Sequence, residues 1–375
     1  MGKKDGRRSP LAGTGLTLRD WLRQLVRVAP APAPRSRMVL ASLAVGMPLS
    51  VGIAAGNPAR AMLASMGGLV ATLVDPPAPA LVRMRGIVAA AVLGSVPGLL
   101  IGTLAHGHHW YAVIVMVVVA GVSAAMSSIG TQWSATGLQL LVFASLAIGP
   151  LGALRPWWET PLWLLVGVGW ALVLHGVDRL LRGDEAPPTV WSGPRAVAND
   201  FPMRLMLCIG IATVFSEILP LNRSYWVPLA VAVVMKPDFG AIPVRAVQYG
   251  VGTIAGAGLA MLVLVPGPSR GALVAAAFVL AALVPLALAR NYAFFGAVFT
   301  PLIVLILDVV SRSGWRIGED RLVDILVGCA IALVPGSLPN PTTLAMPAHT
   351  DAGDRIPAAR GSQTDQKAIA PEVSR

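Results

Sequence analysis

Residues 271–289 read GALVAAAFVLAALVPLALA, an unbroken apolar run closed by Arg270 on one side and Arg290 on the other. As a helix rising ~1.5 Å per residue it extends roughly 28 Å, close to the ~30 Å thickness of a bilayer's hydrocarbon core. Lipid offers no water to satisfy peptide groups, so a run of this kind is read as a spanning helix. Moving outward, only Arg290 and Asn291 separate it from a second run at 292–310, and another at 244–266 precedes it. Further runs bounded by Pro, Gly and charges lie at 38–55, 59–74, 86–106, 110–128, 132–151, 157–180, 203–220, 224–236 and 319–338. The pattern predicts an all-α polytopic membrane protein of about twelve transmembrane helices. Only the short spans 59–74 and 224–236 leave a full crossing open.

Composition agrees. Of 375 residues, 55% are hydrophobic and 13% charged, against roughly 25% charged in a soluble domain, and the mean hydropathy is +0.70. These values exclude an ordinary soluble enzyme. The net charge of +11 does not signal nucleic acid, because its placement is that of membrane orientation. Nine basic residues precede position 38, and with the N-terminus inside, 22 of the 29 Lys and Arg fall on the inner side and 7 on the outer. That bias predicts both termini in the cytoplasm. Cys208 and Cys329 lie within apolar runs and read as packing residues, with no disulfide framework.

The N-terminal tail, residues 1–37, holds Leu18, Trp21, Leu22 and Leu25 at helical spacing against Arg19, Arg23 and Arg27. This pattern predicts a basic amphipathic helix on the inner leaflet, and no signal peptide is expected ahead of the first span. The polar tail 339–375 is expected to be disordered. Asp184, Glu185, Pro187 and Pro188 mark 183–202 as a cytoplasmic linker between membrane halves 38–182 and 203–338. A repeat supports the division: Leu165-Val166-Gly167 before Ala171-Leu172-Val173 recurs as Leu326-Val327-Gly328 before Ala332-Leu333-Val334. Since six helices separate the copies, the halves are expected to have parallel topology.

Within this frame, Tyr225-Trp226-Val227-Pro228 opens the eighth span and Lys236-Pro237-Asp238 closes it. A segment so short crosses only with irregular backbone beside it, which is tolerated where it is buried or lines a cavity. Short, Pro-interrupted segments are a sequence pointer to a transporter site. The competing reading makes Tyr225 and Trp226 belt aromatics and Lys236 a snorkelling residue. Rows at Gly94, Gly98 and Gly102 and at Gly252 and Gly256 are expected to let helices approach closely. Glu217, Asp308, Arg321 and Asp324 are charges inside spans, all toward the outer face, and are expected to form one ionic cluster. Static salt bridges and proton coupling both fit them. His106, His108 and His109 lack neighbouring Cys or acids, so no metal site is expected, and no nucleotide-binding or hydrolase motif appears.

The run Arg223-Ser224-Tyr225-Trp226-Val227-Pro228-Leu229 through Lys236-Pro237-Asp238-Phe239-Gly240, then Arg245 and Gly252-Thr253, resembles the fusaric acid resistance protein-like family. Asn291-Tyr292, Phe299-Thr300-Pro301, Asp308, and Arg321, Asp324 and Gly328 resemble its later pattern, and Trp21–Arg27 its lead-in. The resemblance is strongest over 203–338 and absent from the C-terminal tail. It implies an inner-membrane exporter of organic, chiefly aromatic, acids, related to aromatic acid efflux proteins and more distantly to plant malate-permeable channels. Several relatives carry a large cytoplasmic domain between the halves, where this chain has only the linker. The resemblance brings no assigned substrate residues, so the candidates rest on the physical reading. Tyr225, Trp226, Lys236, Asp238 and Arg245 are expected to bind substrate, with Lys236 and Arg245 drawing carboxylate to the inner mouth. Glu217, Asp308, Arg321 and Asp324 are expected to couple protons. The alternatives are a passive organic-anion channel and a non-transporting membrane scaffold. Neither an enzyme nor a cofactor is expected. The expected partners are the bilayer and a small organic anion, with a homo-oligomer left open and nucleic acid excluded.

Overall fold

The computed structural model describes residues 33–74, 78–154, 156–183, 200–218, 225–235, 242–312, 314 and 316–336, and every regular element among them is helical. The first six helices are α1 (Arg35–Ala54), α2 (Pro58–Val74), α3 (Ala80–Ala105), α4 (His109–Ile129), α5 (Thr131–Leu151) and α6 (Glu159–Arg182). The last six are α7 (Phe201–Ile218), α8 (Trp226–Val234), α9 (Ile242–Leu264), α10 (Arg270–Arg290), α11 (Tyr292–Ser311) and α12 (Arg316–Gly336). Nine of these twelve are long and apolar enough to cross a membrane. The others are α2 with 17 residues, α8 with 9, and α12, whose opening turns hold its charges. The expected amphipathic helix at 18–27, most of the linker and the C-terminal tail lie outside the described residues.

Polar and apolar residues are arranged as lipid requires. Helix α4 turns Trp110, Ile114, Val118 and Val122 outward and buries Ser123 and Ser127. Helix α11 does the opposite of a surface helix: from Phe295 to Val309 nearly every side chain is buried, and it forms the centre of the bundle with α8. The buried Ser65 hydroxyl donates to Val45 O (2.9 Å), so its burial costs little. A valine facing lipid costs nothing at all.

Helices meet at glycine. A Cβ on Gly94 would stand 2.6 Å from the Thr136 carbonyl oxygen, and Gly98 and Gly102 meet Leu140 and Ala144 more tightly still, so the whole row is the α3–α5 seam. Gly252 and Gly256 press α9 onto α11 at Ala293 and Ala297 in the same manner. Gly167 packs on Ala64 of α2, while Gly328, its partner in the sequence repeat, packs on Val227 and Ala230 of α8. Close backbone approach of this kind replaces the hydrophobic drive that is missing between helices in lipid.

The pairings recur six helices on. Contacts α1–α2, α2–α6, α3–α5 and α4–α5 in the first half have counterparts α7–α8, α8–α12, α9–α11 and α10–α11 in the second. Between the halves, α1 packs on α10 and α7 on α4, while α2 touches α11 and α8 touches α5. Gly130 joins α4 to α5 and Asn291 joins α10 to α11 at the same sequence spacing that separates Leu165 from Leu326. Asn291 also caps α11, its Oδ1 accepting from Ala293 N (2.7 Å).

Candidate functional site

Helix α8 spans about 14 Å at 1.5 Å per residue, half of what a crossing needs. Pro228 sits in its first turn, where the missing N–H would have had no helical partner. At the other end, two side chains satisfy carbonyls that a longer helix would have bonded itself. The Tyr292 hydroxyl donates to Val233 O (2.9 Å) and Arg245 Nη1 donates to Val234 O (2.8 Å). A guanidinium at a helix C-terminus also opposes the negative end of the helix dipole. Arg245 is 2% exposed and its Cζ lies 5.8 Å from the Tyr292 ring centroid, so it stands inside the bundle. Lys236 and Asp238 lie outside the described residues.

At the opening of α8, Tyr225 and Trp226 lie side by side with ring centroids 5.0 Å apart. Arg321, from the early turns of α12, is fully buried and holds its Cζ 4.0 Å from the Trp226 ring centroid, a desolvated cation–π contact. Its electrostatic neighbours are Tyr249 of α9, Tyr225, and Asp324 one turn along its own helix. Burying a guanidinium costs several kcal/mol unless charge and hydrogen bonds compensate it. Asp324 supplies charge and Tyr249 a loose hydrogen-bonding contact, yet none of the three guanidinium nitrogens makes a well-formed hydrogen bond among the described residues.

The four charges expected in one cluster occupy three places. Arg321 and Asp324 stand together. Glu217 pairs with His109 across α7 and α4. Asp308 accepts from Gly314 N (2.8 Å) and so fastens the turn between α11 and α12, where Arg312 adopts a left-handed φ of 49°. Of the other two histidines in that stretch, His106 contacts Ile148 O through Nδ1 (2.7 Å). Among the described residues no three His, Cys, Asp or Glu converge as metal ligands would.

Beyond Trp226 lies a cavity of about 120 Å³, lined from both halves by Met66, Gln139 and Phe143 and by Trp226, Tyr292, Phe295 and Phe299. Its aromatic wall is a ladder along α11: Tyr292 to Phe295 at 5.4 Å and Phe295 to Phe299 at 4.9 Å, with Tyr249 joining at 5.7 Å from Tyr292. The spacing of Tyr292, Phe295 and Phe299 marks one helix face in the sequence and could have been read there. Tyr249 offered no such signal. A second space of about 560 Å³, lined by Met62, His106, Gly149, Leu307 and Tyr225, lies beside the same pair. Gly149 leaves helical geometry at the end of α5 (φ −80°, ψ −138°), and a Cβ there would stand 2.6 Å from the Tyr225 ring. Trp226 therefore borders one cavity and Tyr225 the other.

All of these second-half residues fall in one recognisable segment. Residues 211–334 match the fusaric acid resistance protein-like family. The resemblance read from Tyr225 to Gly328 is therefore shown for that segment. Two curated proteins of Escherichia coli (strain K12) are similar to the chain. One is "Uncharacterized protein YhfK", 30% identical over 132 residues, 34% of this chain. The other is "Inner membrane protein YccS", 30% identical over 131 residues, 35% of this chain. The matched stretch is only 18% of the length of either relative. No solved structure matches. The chain is thus a polytopic helical membrane protein whose family segment contains α8, Arg321 and the aromatic wall.

Proposed function

We propose that the protein exports organic acids, chiefly aromatic ones, across the inner membrane. The observation that supports this reading best is the aromatic cavity shared by the two halves, with a buried guanidinium stacked on Trp226, one of its lining residues. A planar aromatic acid needs apolar, ring-lined walls for its body and a cation for its carboxylate, and ligand sites combine the two in this proportion. A volume of about 120 Å³ is comparable with the roughly 150 Å³ apolar cavity known to take up one benzene ring. Tyr225 and Trp226 stand where the two cavities approach each other, so passage requires their displacement, which favours a gated carrier over an open channel. Lys236 and Asp238 follow α8 in sequence and would meet the anion at the inner mouth. In this reading Asp324, buried beside Arg321, is the carboxylate that exchanges protons with the route. Membership of the matched segment in the family, and the inner-membrane location in one relative's name, point the same way.

The test is a deletion strain grown on a panel of aromatic and aliphatic acids, paired with proteoliposomes loaded with 4-hydroxybenzoate at pH 8. The deletion should sensitise cells to a subset of aromatic acids, and the protein should speed release of 4-hydroxybenzoate but not of glucose. Unchanged sensitivity together with unchanged release sinks the reading.

A further inference from the structure

Buried polar atoms in native proteins have partners, and each exception asks for an explanation. Around the opening of α8 the exceptions are concentrated, and most of them are donors. Arg321 Nε, Nη1 and Nη2, the Tyr249 hydroxyl and Trp226 Nε1 are buried and, apart from a loose contact between Arg321 and Tyr249, have no hydrogen-bond partner among the described residues. Arg321 is fully buried, as is Tyr249, and Trp226 is 2% exposed. Every one of these atoms is a donor, and the guanidinium and indole nitrogens can only donate. They come from three helices, α12, α9 and α8, that pack on one another. The first turn of α8 adds peptide N–H groups of its own at this end, and a helix N-terminus favours negative charge. A site that gathers donors, a fixed cation and a dipole's positive end suits a compact acceptor-only group in addition to the Asp324 carboxylate. With the Asp324 carboxylate nearby, the three guanidinium nitrogens still make no well-formed hydrogen bond.

We infer that Arg321, Tyr249 and Trp226 form a binding site for the carboxylate of an organic monoanion, with the guanidinium as its anchor. The fork of a guanidinium matches a carboxylate with two parallel hydrogen bonds, which an ammonium cannot do. The Tyr249 hydroxyl gives a third donor, and its ring leads to Tyr292 and Phe295, so a ligand with its carboxylate on Arg321 has an aromatic wall for its body. Trp226 lies both under the guanidinium and on the cavity, and its side chain must turn to admit the ligand. The site deepens the export reading by naming the carboxylate anchor, but it is a binding claim and is tested without transport.

The full chain, purified in detergent at pH 8, is titrated calorimetrically with sodium benzoate and separately with benzyl alcohol, its neutral counterpart. Benzoate should bind at least tenfold more tightly than the alcohol. Tyr249→Phe removes one hydroxyl and leaves the packing intact, and should weaken benzoate about tenfold without affecting the alcohol. Arg321→Lys keeps charge but loses the fork and should weaken benzoate by tenfold or more. Where Arg321→Lys fails to fold, Tyr249→Phe decides alone. Absence of benzoate binding, equal binding of acid and alcohol, or parental affinity in Tyr249→Phe overturns the site. Benzoate binding by the purified protein with no release from proteoliposomes would keep the site and reject export. Release with no effect of Tyr249→Phe on binding would do the reverse.

Discussion

Tyr292 and Arg245 together end α8 where the chain itself cannot, and the energetic weight of each is separable. Tyr292→Phe removes only the hydroxyl that donates to Val233 O, leaving that carbonyl unsatisfied in a water-poor interior. The expected loss is about 1–2 kcal/mol, seen as a lower midpoint of thermal unfolding in detergent. Tyr111→Phe, on a ring 51% exposed, should leave the midpoint unchanged. Asp324 is a different case, because the role proposed for it is titration and not packing. Asp324→Asn keeps the shape and removes the proton site, and vesicles carrying it should lose the dependence of export on a pH gradient while retaining benzoate binding. Gradient-driven accumulation at the parental level would make Asp324 a structural counter-charge to Arg321. What a single residue does here was only partly legible. Tyr225, Trp226 and Arg321 announce themselves by rarity, a charge or an aromatic pair in an apolar run. The work of Arg245 and Tyr249 depends on which helix lies opposite, and no local pattern encodes that.

At the level of helices, the glycine rows and the seams they form give a comparison internal to one element. On α9, Gly252 meets the Ala293 backbone, whereas Gly258 meets nothing within 4 Å. Gly252→Val should collapse the yield of folded protein in the membrane, since a side chain would have to enter the α11 backbone. Gly258→Ala should leave yield unchanged, as monitored by size-exclusion fluorescence of a tagged chain. The helices themselves were legible almost throughout, because length in lipid is fixed by bilayer thickness and marks its own limits. The main departure is α3, expected from residue 86 and observed from Ala80. Arg83 and Arg85 look like a boundary in the sequence, yet charges are tolerated in a helix's first turns, where they reach the headgroups, so the backbone is helical before the apolar run starts. The π-wound end of α5 had no counterpart in the apolar pattern, since Gly149 and Pro150 alter hydrogen bonding without altering hydropathy.

For the molecule as a whole, orientation is the property on which the directional reading depends. Cysteines placed at His108 and at Arg195 should react unequally with a membrane-impermeant thiol reagent on intact cells, the first labelled and the second protected, as the 22 to 7 division of basic residues requires. Equal labelling would reverse or abolish the assignment and with it the distinction between inner and outer mouth. The reciprocal packing of α1 on α10 and of α7 on α4 carries a separate consequence. Each set of six helices presents to the other a surface of the kind it receives, so the covalent link between them is a convenience of synthesis and not a condition of assembly. A gene cut between codons 190 and 191 should therefore yield two polypeptides that find each other in the bilayer, purify together through a tag on either one, and restore acid resistance only when both are made.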